Sequence, residues 1–227
     1  MTEPIAQHER LDVASMSARD AYVLLTDVVA PRPIAWVSTL DEDGRANLAP
    51  FSYYQAVCSS PPMVTLAIAS RSDGAPKDTL ANILARRELT ISHVAEPLLE
   101  AMNATSADLP PQVDEWEVAG EPGGRLPSVP SSTVAPPRVA RARAALECRM
   151  VRAIPLGQAK GGGPSTTLVI AEVQCFWVAA GLLRRDERGH LRSIPAAALA
   201  SVGRLGGMSY ARTTDVVELT RPKTPSR

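Results

Sequence analysis

Apolar positions in this chain fall mostly into short runs separated by turn residues, and few runs carry helical spacing. "PIAWVST" is apolar almost without a break, which predicts a buried strand over residues 34–40. Asp41-Glu42-Asp43-Gly44 then forms a turn, and "RANLAPFSYYQAVCS" returns as a second strand or a strand with an irregular segment. Pro61-Pro62 interrupts the pattern before a third strand, "MVTLAIAS" (63–70), and "ELTISHV" supplies another. "ALECRMVRAIPL" and "STTLVIAEVQCFWVA" predict two long strands joined by a flexible hairpin loop, "GQAKGGGP".

Helical spacing occurs in three places. Ala21, Leu24, Leu25 and Val28 predict a short amphipathic helix within an N-terminal lead-in (residues 1–30), ended by Pro31 and Pro33. Leu80, Ile83, Leu84 and Arg87 predict a second helix, with Pro76 suited to its first position. "EPLLEAMNATS" is a third. Residues 108–137, rich in Pro, Gly and Ser, are too long for a turn and read as an ordered excursion or lid carrying Trp116. A charged turn, "RRDERGH", leads to "RLGGMSYARTTDVVEL", and the last residues, "TRPKTPSR", are expected to fray. Strands outnumber helices and do not alternate with them. The expected fold class is therefore mainly β, a closed antiparallel barrel with a few packed helices, over residues 31–212 and followed by a tail, 213–227.

The 227 residues are enough for a sizeable core, and 45% apolar with 21% charged residues is the composition of a soluble globular protein. Twenty-four basic residues balance twenty-four acidic ones, which removes the electrostatic footprint of a nucleic-acid binder. No run approaches the roughly 18 apolar residues of a membrane span, and "MTEPIAQHER" lacks a signal-peptide pattern. Three scattered cysteines suit a reducing compartment, so a cytoplasmic location is expected.

Candidate chemistry is defined first by what is missing. No dinucleotide or P-loop glycine motif occurs. His8, His93 and His190 lie far apart, so neither a metal site nor a catalytic triad is expected and no catalytic residue is assigned. "GAPKDT" (74–79) would place free helix N–H groups beside Lys77 and Thr79, a combination that suits a phosphate monoester; a plain helix cap with a solvated lysine also accounts for the hexamer alone. Ser38, Thr39, Asn47 and Ser52 serve equally as strand-end groups bonding their own turns. Taken together with Phe51 and Tyr53, they match the needs of a planar heteroaromatic nucleotide.

"PRPIAWVST", "DGRANLAPFSYYQAV", "SSPPMVTLAI", "GAPKDTLANI" and "MNATSADLPPQVDEWEVAG" resemble the flavin reductase-like family of FMN-binding split-barrel proteins, in that family's order over roughly residues 20–210. The resemblance implies a six-stranded Greek-key split barrel, a homodimer, and FMN bound near the dimer interface. Members reduce flavin with NAD(P)H, often for a partner monooxygenase, or keep FMN as a bound electron carrier. A non-enzymatic flavin-binding module is a third reading. By the resemblance, Ser38 and Thr39 match strand-end flavin contacts. Asn47, Ala49, Phe51 and Ser52 match the segment beside the flavin ring, Ser59 and Ser60 a hydroxyl-bearing segment, and Lys77, Asp78 and Thr79 the phosphate side. Gln55, Cys58 and His93 depart from the pattern. Cys58 is expected to be a small buried residue, Trp116 to pin its loop or shield the flavin, and Tyr210 to close the pocket or pack a terminal segment.

Overall fold

The computed structural model describes residues 7–110, 112–120, 124–159 and 161–222. In chain order the elements are α1 (Ala18–Val28), β1 (Arg32–Pro33), β2 (Ala35–Leu40), β3 (Ala46–Phe51), β4 (Tyr54–Ser59), β5 (Pro62–Ala69), α2 (Asp78–Arg86) and β6 (Glu88–His93). There follow α3 (Leu99–Ala104), α4 (Glu115–Val118), β7 (Ser128–Val129), β8 (Arg138–Val139), β9 (Ala144–Leu156), β10 (Thr166–Val178), α5 (Ala196–Leu199), β11 (Val202–Arg204) and β12 (Tyr210–Arg212).

Seven strands form one antiparallel sheet in the order β3-β2-β6-β9-β10-β5-β4. Its edge strands β3 and β4 are separated in sequence only by Ser52 and Tyr53. The three Cα steps from Phe51 to Tyr54 span about 11 Å at most, so the two edges must come together and the sheet curls into a barrel. The Tyr53 carbonyl carries the β4–β5 ladder up to this seam, accepting from the Ala67 amide of β5 at 2.8 Å. The expected count of six strands is recovered when β3 and β4 are taken as one strand broken at this seam.

The unbroken apolar run in β2 follows from its central position. Ala35 and Val37 enter the barrel core with Leu66, Ile91 and Val169. Ile34 and Trp36 face a second, outer core with Leu48, Met102 and Trp116. β5 is buried on one face only, so Val64, Leu66 and Ile68 alternate with less buried neighbours. Within the outer core the Trp36 indole N–H donates to Thr105 Oγ1 at 2.9 Å, satisfying a group that burial would otherwise penalise.

The described residues of the predicted excursion build much of this outer core. Trp116 is fully buried and packs with Leu126 and Val139, so it pins its loop. The returning segment is fastened by Glu147 of β9, also fully buried. Its carboxylate accepts from the amides of Ser132 and Thr133 at 2.8 and 2.6 Å, from the Thr133 hydroxyl at 2.6 Å, and from the Trp177 indole. Burial alone would push this carboxyl up, but the Thr133 hydroxyl, the two amides and the indole pull it down to about 2.

Two sequence expectations are corrected, those on the start of α2 and on Cys58. α2 begins at Asp78, not Pro76, and Lys77 is its N-cap in extended conformation. The cause is the tight turn before it, where Arg71 N donates to the Ala75 carbonyl and Gly74 takes φ +87°; the chain leaves this turn extended. α1 forms as predicted, but Tyr22, Leu25 and Val28 are 62%, 53% and 79% exposed and Thr26 is its one buried residue. Among the described residues nothing covers these three side chains. Cys58 is exposed, not buried, because β4 is an edge strand whose residues from Gln55 to Ser59 face outward. The end of the tail, residues 223–227, lies outside the described residues.

Candidate functional site

The start of α2 faces β3 across a cleft of about 60 Å3, lined by Asn47, Ala49, Phe51, Lys77, Asp78 and Thr79 among others. The first helical hydrogen bond runs from Ala81 N to Lys77 O, so the amides of residues 78–80 have no acceptor within the helix. No side chain caps them. These amides and the Lys77 ammonium are the donors an anion requires.

Local sequence explains the placement. Asp73 and Gly74 close the turn that aims α2 at the cleft, and the glycine-rich β9–β10 loop lies directly against them. A Cβ on Gly161 would come within 2.7 Å of the Asp73 carbonyl, so only glycine allows that approach. Arg71, at the start of the turn, holds Asp78 at 2.7 Å. Lys77 reaches Asp108 of the excursion at 3.5 Å, with the two side chains 37% and 87% exposed. Such an exposed pair is worth about 0–1 kcal/mol, which leaves the ammonium available to a stronger anion.

Asn47 and Glu115 form the far wall, shared with a second cleft of about 450 Å3 that extends toward Asp41, Arg45 and Arg125. The Asn47 amide can seat in two ways. With nitrogen toward Thr79, it donates to Oγ1 at 2.9 Å, and its oxygen faces the Glu115 carboxyl. Turned over, its nitrogen donates to Glu115 Oε1 at 3.1 Å, while its oxygen accepts from the Thr79 hydroxyl at 2.9 Å and the Leu48 amide at 3.1 Å. An ionised Glu115 accepts only, so it favours the second seating. Burial pushes the Glu115 carboxyl up and the neighbouring Asp114 and Asp78 add to this, against the amides of Glu115 and Leu48.

Beyond Phe51 the wall continues into a further cavity of about 120 Å3, bounded by Ser52, Arg204 and Tyr210. The Tyr210 hydroxyl donates to Asn103 Oδ1 at 2.9 Å, and the Arg204 guanidinium sits 4.6 Å from the Tyr210 ring centre. Tyr210 thus both packs the terminal hairpin and borders the cavity.

Of the residues singled out from sequence, Asn47, Ala49, Phe51, Lys77, Asp78 and Thr79 meet at the cleft, and Ser52 lies next to it. Ser38 and Thr39 are fully buried behind the wall. Ser38 Oγ has no partner among the described residues, and Thr39 Oγ1 accepts from Asn82 Nδ2 at 3.1 Å. Ser59 and Ser60 are exposed at the β4–β5 turn and line neither cleft. Sequence reasoning missed Arg71 and Glu115. Arg71 had a usable signal in its place just before the Asp73-Gly74 turn. Glu115 had one in Asp114, whose side chain caps α4 by accepting from Trp116 N.

A family model described as "Flavin reductase like domain" matches residues 29–195. The chain belongs to the flavin reductase-like family. A curated relative from Halalkalibacterium halodurans, itself called uncharacterized, is 37% identical over 94% of this chain and 96% of its own length. The crystal structure of nitrilotriacetate monooxygenase component B from Bacillus cereus superposes with a TM-score of 0.83 at 32% identity, covering 94% of this chain and 100% of that one. The 2-nitrobenzoate 2-nitroreductase NbaA of Pseudomonas fluorescens gives 0.79 at 29% identity, covering 96% and 99%. The flavin reductase-like fold seen in these neighbours is the barrel described above, and a flavin is the cofactor class the family carries. The donor set at the cleft fits one end of such a molecule: amides 78–80 and Lys77 suit a phosphate. Among the described residues no cluster of His, Cys, Asp or Glu has the make-up of a metal site, and no helix is long and apolar enough to cross a membrane.

Proposed function

We propose that this protein is an NAD(P)H-dependent flavin reductase that binds FMN at the β3–α2 cleft. The observation that carries this reading is the convergence of Lys77 and the uncapped amides of α2 on the same small space as the Asn47–Phe51 wall. Bound FMN would supply the ring that accepts hydride from NAD(P)H. The chain's own part is binding and orientation. Lys77, the α2 amides and Thr79 hold the phosphate end. Ala49 and Phe51 let a flat ring lie against backbone and an aromatic edge, and Ser52 borders the ring's far side. Ser38 and Thr39 shape the wall from behind. No acid or base is needed for hydride transfer between two bound partners held in line, in keeping with a site that presents no histidine–carboxylate pair.

A cleft of about 60 Å3 holds little more than two waters' share of liquid volume, so a tricyclic ring would lie largely outside it. We infer that a second copy of the chain covers the ring. The uncovered apolar face of α1 and the outward-facing edge strand β4 supply the surface for such a homodimer. Leu25→Asp is expected to shift the protein to monomer mass in light scattering after gel filtration and to weaken FMN retention. An unchanged dimer would remove α1 from the interface.

Similarity to a monooxygenase component supports a role in supplying reduced flavin to a partner monooxygenase. The free thiols Cys58, Cys148 and Cys175 suit a cytoplasmic setting. The decisive experiment is anaerobic stopped-flow mixing of the FMN-loaded protein with NADH and with NADPH. Rapid loss of the oxidised flavin absorbance is expected with at least one of them. A yellow protein that neither reagent bleaches is an electron carrier instead, and a protein that takes up no FMN is a binding module for something else.

A further inference from the structure

The wall of the cleft contains a chain of three side chains, Glu115, Asn47 and Thr79, in which one amide faces a titratable group on one side and a hydroxyl on the other. We propose that Glu115 decides, through the seating of the Asn47 amide, whether the Thr79 hydroxyl proton is offered to the ligand's phosphate, so that phosphate binding at this cleft is coupled to uptake of a proton. The inference rests on the flavin-phosphate reading and adds a positioning role for Glu115.

The logic is one of donors and acceptors. When Glu115 is ionised it can only accept, and the Asn47 nitrogen turns to it at 3.1 Å. The Asn47 oxygen then takes the Thr79 proton at 2.9 Å, and Thr79 has only lone pairs left for the cleft. The Leu48 amide, 3.1 Å from the same oxygen, favours this seating. When Glu115 is protonated, its hydroxyl donates to the Asn47 oxygen and the nitrogen donates to Thr79 Oγ1. The Thr79 proton is then free for an anion. A phosphate dianion, which accepts only, selects the second arrangement and so draws the proton onto Glu115.

The surroundings favour such a proton. Glu115 is adjacent to Asp114 and Glu117 on its own segment, and Asp78 acts on it from α2. Asp108 and Lys77 lie across the first cleft, and Asp41, Arg45 and Arg125 border the second. Burial and the nearby carboxylates displace its titration upward, which favours the proton. Direct repulsion between an ionised Glu115 and phosphate predicts a similar pH trend, and Thr79 separates the two explanations.

The test measures dissociation constants of FMN and riboflavin from about pH 5 to about pH 8, a range that begins above the ordinary glutamate value, in the full chain and in Glu115→Gln, Thr79→Val and Thr79→Ser. The ratio of the two constants isolates the phosphate, and comparison among variants removes the phosphate's own titration near pH 6. In the unaltered protein the advantage of FMN over riboflavin is expected to fall roughly tenfold as pH rises, the worth of one hydrogen bond to a charged acceptor. Glu115→Gln, which can always donate to Asn47, keeps the acidic value throughout. The isosteric Thr79→Val loses the fall although the carboxylate remains, and Thr79→Ser retains it. A Thr79→Val profile that still falls, or a Glu115→Gln profile that superimposes on that of the unaltered protein, overturns the relay while leaving FMN binding intact. Failure of the unaltered protein to bind either flavin overturns the flavin reading and the relay with it.

Discussion

Replacing Glu147 with alanine is expected to lower folding stability by about 3–5 kcal/mol, the range for dismantling a buried charged network. For a chain of this size that is a drop in Tm on the order of 10 °C, readable by calorimetry. Five donations end on this one carboxylate, from the amides and hydroxyls of Ser132 and Thr133 and from the Trp177 indole. Its removal strands those donors and frees the return of the excursion. The Trp177 ring also loses a fixed partner while lying 3.8 Å beneath the Arg138 guanidinium. The sign with pH follows from the depressed folded pKa. Ionised Glu147 contributes its full stability above the unfolded value near about 4.3 and loses it as pH falls toward about 2. Glu147→Gln should therefore flatten acid unfolding in that window. A loss under about 1 kcal/mol would show that the excursion is held by its apolar contacts alone.

Replacing Lys77 with alanine is expected to weaken FMN binding by about 1.5–3 kcal/mol, roughly 10- to 150-fold, while riboflavin binding changes little. The backbone of Lys77 already serves as N-cap without any side-chain bond, so the helix should survive the change. What is lost is one cation that, among the described residues, pairs with Asp108 at 3.5 Å. Affinities measured by flavin fluorescence at low and high salt should converge in the variant, because the screened charge is gone. Equal FMN affinity in the two proteins would place the phosphate elsewhere.

The barrel was legible because strand burial writes itself into the sequence. β2 opens on the apolar run Ala35-Trp36-Val37 since it lies between two cores, and β5 alternates since one face is dry. The cleft was legible in part because "GAPKDT" and "NLAPFS" are each local. Their meeting required only the helix start and one strand end to be placed correctly. Glu115 was the harder of the two missed residues, because it acts on Asn47, far off in the chain; Arg71 acts on Asp78 only seven positions on, and its place before the Asp73-Gly74 turn was the signal to read. The helical period of α1 was read correctly, but a period reports an apolar face without naming what covers it. Cys58 was misjudged for a related reason, since its strand sits at an edge and edge position is set by the closing of the whole sheet.

Glu115 precedes Trp116, which is wholly buried. The cleft's far wall is thus bolted to the outer core by its neighbour, and swinging it aside would expose an indole at a cost of several kcal/mol. Traffic through the site must then pass along the open flank beside Lys77 and Phe51, so the rate at which flavin enters and departs is governed by whatever screens that flank.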